Sequence, residues 1–350
     1  MKHVVTVPGV FSLERGGTLR DVTVEVRTWG KHRPNATLIC HALTGNADAD
    51  EWWSDLFRSG SVFDPAKNYV VATNVLGGCS GTTGPTTVGP NRTASLGPDF
   101  PRVTIRDMVR LQKAVLDQLG VTSLDLVTGG SMGGMQALEW AAMYPEVVTA
   151  VAPIAVGSAQ SAWAIGLSET QRHAITTDAN WKDGQYTADA PPSDGLSTAR
   201  MIAMCSYRSS RSFQGRFARG RNEEGFDVQT YLRYQGTKLT ERFDANTYLT
   251  LLDAMDSHDL GRGRGPLEAI LRKITTRALV VGISSDVLYP VHEVRALAEA
   301  LPNARFTILD SDDGHDAFLI DTETLDATLQ AFLTESTGPV AQVDTGAGWA

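Results

Sequence analysis

The stretch TGGSMGGMQALEW, positions 128 to 140, decides how the chain is read. A single serine, Ser131, stands between two pairs of glycines. Glycine loses more backbone freedom on folding than other residues, so four of them around one serine mark a turn with no room for side chains. Gly129-Gly130-Ser131-Met132-Gly133 matches G-x-S-x-G, and the chain holds no second match. The apolar run LDLVT precedes it, and the helical pattern MQALEWAAMY follows. Strand, sharp turn and helix in that order present the serine hydroxyl at the apex of the turn. The helix N-terminus beneath it supplies unpaired N–H groups and a positive dipole end, which suit a developing oxyanion.

Outward from this turn, short apolar and β-branched runs predict buried strands at 22–29, 36–42, 68–75, 124–130, 147–156, 277–284 and 305–310. Amphipathic helical patterns lie between several of them, at 104–120, 292–301 and 322–333. This alternation predicts an α/β protein with a mostly parallel central sheet flanked by helices. The alternation lapses over 158–270, where the chain is polar and helical in propensity. That segment reads as a helical cap inserted into a core made of residues 1–157 and 271–336. Residues 337–350 carry no periodicity and read as a loose tail.

Composition narrows the class. Of 350 residues, 42% are hydrophobic and 20% charged, as in a soluble globular enzyme. No apolar stretch is long enough to span a membrane. The N-terminal residues lack the apolar core of a signal peptide. The three cysteines, Cys40, Cys79 and Cys205, are scattered, with no disulfide framework and no zinc spacing. A cytoplasmic setting and no metal are expected. A net charge of −9 argues against general nucleic-acid binding. Residues 207–221 nevertheless hold five arginines and no acid. They read either as a solvated helical face or as a landing site for a phosphorylated ligand.

A serine hydroxyl needs a base to become a nucleophile, and the base needs an orienting acid. Around such a turn the chain order is serine, acid, histidine. His292 falls inside an amphipathic helix, whereas His315 falls in the loop DSDDGHDAF after the last predicted strand. His315 is therefore the expected base. Asp286, in GISSDVLYP at the end of the preceding strand, is the expected acid, ahead of Asp310, Asp312, Asp313 and Asp316. The backbone N–H groups of Met132 and Leu43 are the expected oxyanion donors. His41 precedes the serine and reads as a structural residue of the oxyanion loop. The glycine-rich stretch 74–87 lacks the G-K-[ST] ending of a phosphate loop and reads as a pocket wall. HDLGRGRG, at 258–265, reads as a hinge between cap and core.

HALTG, NVLGGCSGTTGP, DFPRVTIRDMV, GGSMGGMQALEW, YLRYQGTKLTERFDANTYL and DGHDAFL together resemble the homoserine O-acetyltransferase family of the α/β-hydrolase superfamily. The resemblance runs from about residue 10 to residue 335. It implies the α/β-hydrolase fold and a ping-pong transfer, in which Ser131 takes an acyl group from acyl-coenzyme A and an amino-acid hydroxyl then removes it. It also implies Asp286 and His315 as the partners of Ser131, Arg200 as the grip on the acceptor's carboxylate, and Asp316 as the grip on its ammonium group. Acetyl-CoA and L-homoserine are the implied substrates, with no permanently bound cofactor, and a homodimer is the implied assembly. Relatives with similar motifs use succinyl-CoA or accept serine, but DVLYP after Asp286 looks like the acetyl-using members. Arg208, Arg211 and Arg216 are candidates for the coenzyme A phosphates. An esterase or thioesterase with the same triad is the alternative activity.

Overall fold

A computed structural model describes residues 1–89 and 94–335 of the chain; the tail expected at 337–350 lies outside them. Among the described residues there are ten strands: β1 (Lys2–Ser12), β2 (Thr18–Trp29), β3 (Asn35–Ile39), β4 (Val70–Thr73), β5 (Ser123–Gly130), β6 (Ala150–Ile154), β7 (Arg221–Asn222), β8 (Gly225–Phe226), β9 (Arg277–Ile283) and β10 (Ala304–Leu309). Eight of them form one sheet in the order β1-β2-β4-β3-β5-β6-β9-β10. β2 runs antiparallel to both of its neighbours, and from β4 to β10 every pairing is parallel.

The parallel strands are short and apolar because helices cover both of their faces. One side of the sheet buries Met108, Val115, Met135, Trp140 and Leu297, and the other buries Trp53, Phe63, Leu325, Leu329 and Phe332. The helices are α1 (Ala49–Trp52), α2 (Ile105–Gln118), α3 (Met132–Met143), α4 (Ala162–Thr176), α5 (Ser193–Tyr207), α6 (Ser210–Phe217), α7 (Asp227–Thr240), α8 (Ala245–Asp256), α9 (Leu267–Leu271), α10 (Val291–Ala300), α11 (Ala317–Ile320) and α12 (Thr322–Thr334). α2 starts where a capping box forms: the Thr104 hydroxyl accepts from the Asp107 N–H, and the Asp107 carboxylate accepts from the Thr104 N–H.

The seven expected strands are all present, with ends shifted by a few residues. β1 was not expected. It is an edge strand whose residues are exposed or half-buried. Pro8 and Gly9 interrupt its alternation where the register with β2 slips between Val7 and Val10.

Between β6 and β9 the chain forms α4 to α9 and the two-residue hairpin strands β7 and β8. This region, called the cap below, enters and leaves the core through one neck. The Gln160 N–H donates to the His258 carbonyl at 2.9 Å, and the Leu260 N–H donates to the Ser158 carbonyl at 3.1 Å. The outgoing segment 258–265 is braced against the core. Arg106 donates to the carbonyls of Asp259 (2.9 Å) and Arg262 (2.7 Å), and through Nε to Glu139 (2.9 Å). Arg264 closes on the other oxygen of Glu139 at 2.7 Å.

Candidate active site

Ser131 sits between β5 and α3 with φ 58° and ψ −123°, a conformation that side chains with a Cβ rarely adopt. It is held there from both sides. Its N–H donates to the Ile154 carbonyl at 2.9 Å, and its carbonyl accepts from the Met135 N–H at 3.1 Å. Serine at a helix N-cap usually folds its hydroxyl back onto the first turn. Here no side-chain capping bond forms, so the Oγ atom is left for chemistry.

The glycines around it serve close approach rather than unusual dihedral angles. None of Gly129, Gly130, Gly133 and Gly134 has a positive φ. A Cβ on Gly129 would lie 2.2 Å from the Cys40 carbonyl oxygen, and one on Gly130 would lie 2.5 Å from the Phe318 ring. The positive φ of the turn falls on the serine itself.

His315 and Asp286 meet as expected. Asp286 Oδ2 accepts from His315 Nδ1 at 2.7 Å, and Oδ1 accepts from the N–H groups of Leu288 (2.7 Å) and Tyr289 (3.0 Å). The carboxylate is thus fixed at three points just past the end of β9. Of the competing acids, Asp310 accepts from Ser284, Asp312 pairs with Arg211, and Asp313 pairs with Arg208. His292 lies on α10.

His315 is almost wholly buried, within ring-contact distance of Tyr289 (5.4 Å), Tyr207 (5.7 Å) and Phe318 (5.7 Å). Phe318 therefore touches both the histidine and the backbone next to Ser131. Burial opposes protonation of His315. The charge and hydrogen bond of Asp286, with the charge of Asp316, outweigh it and hold the imidazole above its ordinary pKa. Its Nε2 atom is buried and has no hydrogen-bond partner among the described residues. Ser131 is not hydrogen-bonded to it in this structure; such bonds are often loose until a substrate is in place.

The Leu43 and Met132 N–H groups, the expected oxyanion donors, make no hydrogen bond to a described residue. The Leu43 loop is held on several sides. His41 bonds the Ala42 carbonyl through Nδ1 (2.8 Å), and its Nε2 accepts from the Val75 N–H (3.2 Å). Burial lowers the pKa of His41 to about 4, so the ring is neutral and structural. Below the loop, Gln136 donates to the His41 carbonyl and accepts from Gln112 at 2.8 Å, while Gln112 accepts from the Trp140 indole at 2.8 Å. A small cleft beside Leu43 is lined by Gly45, Cys79, Phe243 and Leu251, so the 74–87 loop does form part of a pocket wall. Arg242, on the turn between α7 and α8, pins the loop by donating to the Thr44 carbonyl at 2.8 Å.

Arg200 lies on α5 with its guanidinium 5.4 Å from the centre of the Tyr207 ring. It has no ion-pair partner among the described residues, though its charge acts on Asp316 and on Arg242. Asp316 follows His315 directly and lies 3.5 Å from Arg208. Of the three arginines considered for phosphate, Arg208 is taken up by Asp313 and Asp316, and Arg211 forms an exposed pair with Asp312. Arg216 lies over the rings of Phe217 and Tyr231 and has no acidic partner among the described residues. The rings of Tyr207, Tyr289 and Phe318 escaped the reading of the sequence. Phe318 stands three residues from His315 and Tyr289 three from Asp286, so proximity in sequence was the available signal. No group of His, Cys, Asp or Glu among the described residues is placed to hold a metal ion.

Comparison with known proteins identifies the fold and the family. A family model described as the alpha/beta hydrolase fold matches residues 35–322. The chain is 54% identical to the homoserine O-acetyltransferase of Chloroherpeton thalassium over 92% of this chain and 86% of that one. It is 53% identical to the homoserine O-acetyltransferase of Nostoc punctiforme over 94% of each. Among solved structures it is similar to the acetyl esterase MekB, with a TM-score of 0.84 at 26% identity, covering 96% of this chain and 97% of that one.

Proposed function

Since the chain belongs to the homoserine O-acetyltransferase family of α/β hydrolases, we propose that it moves an acetyl group from acetyl-CoA to the hydroxyl of L-homoserine through an acetyl-Ser131 intermediate. His315 Nε2 takes the Ser131 proton as Oγ attacks the thioester carbonyl. The Leu43 and Met132 N–H groups receive the oxyanion, and collapse releases the coenzyme A thiolate, which leaves with the proton from His315. The acceptor's hydroxyl then gives its proton to His315 and attacks the acetyl carbon. Ser131 Oγ departs and regains the proton. Asp286 fixes the imidazole tautomer and stabilises its cation. Arg200 grips the acceptor's carboxylate in two parallel bonds, and Asp316 holds its ammonium group.

One observation favours transfer to an amino acid over transfer to water. Arg200 has no ion pair, and Asp316 accepts no hydrogen bond, among the described residues. Two opposite charges beside His315 are thus open to a zwitterion. The second reading is hydrolysis, favoured by the likeness to an acetyl esterase. Free thiol from acetyl-CoA, followed with and without homoserine, separates them. Release that requires homoserine supports transfer, equal release without it supports hydrolysis, and no release in either case defeats both. A cytoplasmic location and a homodimer belong to the same proposal, the latter checked by sedimentation. Among the described residues no helix is long and apolar enough to cross a membrane.

A further inference from the structure

Arg208 is engaged by two carboxylates. It follows α5 directly. Its Nη1 donates to Asp313 Oδ1 at 2.6 Å, and its Nε stands 3.5 Å from Asp316 Oδ2. The side chains of Arg208 and Asp316 are only 17% and 18% exposed. The Nε–H is buried yet makes no hydrogen bond among the described residues. Its pairing with Asp316 is therefore one of charge alone. The Asp316 carboxylate in turn accepts no hydrogen bond from any described residue. The carboxylate is half-buried beside His315, and no described residue fills its lone pairs.

We propose that Arg208 is a positioning residue, which holds the Asp316 carboxylate as a fixed anion whose lone pairs stay free for the α-ammonium group of the amino-acid acceptor. This rests on the reading that the acceptor is an amino acid gripped by Arg200 and Asp316. A direct hydrogen bond from Arg208 would fill part of the acceptor capacity that an ammonium, with three donors, needs. At 3.5 Å the guanidinium supplies charge without filling it.

The groups facing Asp316 are His315, Arg200, Arg208, Asp286 and Tyr207. Burial raises the pKa of Asp316, and the charges of His315, Arg200 and Arg208 offset part of that rise. His315 is neutral whenever it acts as base, and the charge of Arg200 is taken up by the acceptor's carboxylate. Arg208 is the cation with no duty in either half-reaction; it pairs with Asp313 through Nη1 and keeps its Nε side against Asp316 throughout. Its own place is fixed from the cap. Asp313, which anchors its Nη1, also accepts from the Ser212 hydroxyl at 2.8 Å, and Ser209 donates to the Asp312 carbonyl. Backbone atoms of Tyr207, Arg208 and Ser209 lie within 2.6–2.9 Å of where a Cβ on Gly314 would stand. The cap backbone thus rests directly on the loop that carries His315 and Asp316.

The test is Arg208→Gln and Arg208→Lys, with the two half-reactions measured separately across pH. In Arg208→Gln, acylation by acetyl-CoA on its high-pH plateau stays within about threefold of wild type, because in that half-reaction Asp316 adds only charge beside His315 and binds nothing. Deacylation by homoserine weakens as pH falls, and its acid limb moves up by about one unit, the scale of a lost guanidinium neighbour. Arg208→Lys restores most of the profile. Carbon-13 NMR of the Asp316 carboxyl in the substrate-free protein shows the same upward move. An unmoved Asp316 titration, or equal losses in both half-reactions at every pH, overturns the proposal and leaves Arg208 a brace for the loop. Absence of homoserine-dependent turnover in the wild type is a separate failure. It removes the acceptor assignment, whereas the NMR titration still reads whether Arg208 governs Asp316.

Discussion

The carbonyl oxygen of Cys40 stands 2.1 Å from where a Cβ on Gly133 would lie. Cys40 follows β3 and leads into the loop that carries Leu43, so this contact sets the distance between the serine turn and the Leu43 N–H. Neither side can yield easily, because the obstructing atom is backbone.

Gly133→Ala is expected to lower stability by about 1–3 kcal/mol, the usual cost of overpacking, and to lower turnover further by shifting Leu43. Urea unfolding and steady-state rates on the same preparation check it. A variant as stable and as active as wild type would mean that the loop and the turn can part at no cost.

Asp286→Asn is expected to cut the rate by roughly 10⁴-fold, as when a triad acid is neutralised elsewhere. Asp312→Asn and Asp313→Asn should lose less than about tenfold. The pH profile carries the sign. His315 must be neutral to accept a proton, and Asp286 and Asp316 together raise its pKa against the effect of burial. The acid limb of acylation in the wild type should therefore lie above the ordinary histidine value of 6.5. A limb below that value would show that burial wins.

Ser131→Ala is expected to abolish turnover and keep the fold. Brief mixing with labelled acetyl-CoA should mark the wild type at Ser131, as read by peptide mass spectrometry. Cys79 lines the neighbouring cleft, but burial raises its thiol pKa, which lowers its thiolate fraction and its reactivity. Label on Cys79 with Ser131 unmarked would sink the mechanism.

Arg200→Ala is expected to form acetyl-Ser131 at nearly the normal rate and to lose deacylation by homoserine, since a charge-assisted pair in a desolvated pocket contributes about 1.5–3 kcal/mol. Arg200→Lys should recover only part, because an ammonium cannot make two parallel bonds. Single-turnover kinetics of each half decide. Collapse of acylation alone would move Arg200 to the coenzyme A side, with the acceptor's carboxylate held elsewhere.

What the sequence made legible follows from the range of each interaction. β5, the serine turn and α3 were readable because apolar runs and small residues signal them within about a dozen positions. β1 was not, because an exposed edge strand broken by Pro8 and Gly9 carries neither a clean alternation nor an apolar run. Resemblance aside, Asp286 could be chosen only by its place after a strand. What singles it out, the grip of the Leu288 and Tyr289 N–H groups and the contact with His315, depends on how the chain turns after β9. Arg208 read as one of a run of solvent-facing or phosphate-seeking arginines. Its partners are Asp313 and Asp316, more than 100 residues away, and local pattern holds no trace of such a pairing.

The neck at 158–160 and 258–260 has a consequence for the architecture as a kit of parts. About a hundred residues leave the sheet and return to it through two hydrogen bonds between adjacent backbones. The core thus meets the cap as it would meet a tight turn, because chain ends that close tolerate an insertion of almost any length. The serine, the aspartate and the histidine all lie outside that doorway, on the sheet side. Arg200 and Arg208 lie within it. Asp316 lies on the sheet side with His315, so the grip proposed for the acceptor spans the doorway, and a different module hung there would keep the nucleophile and Asp316 while losing the two arginines.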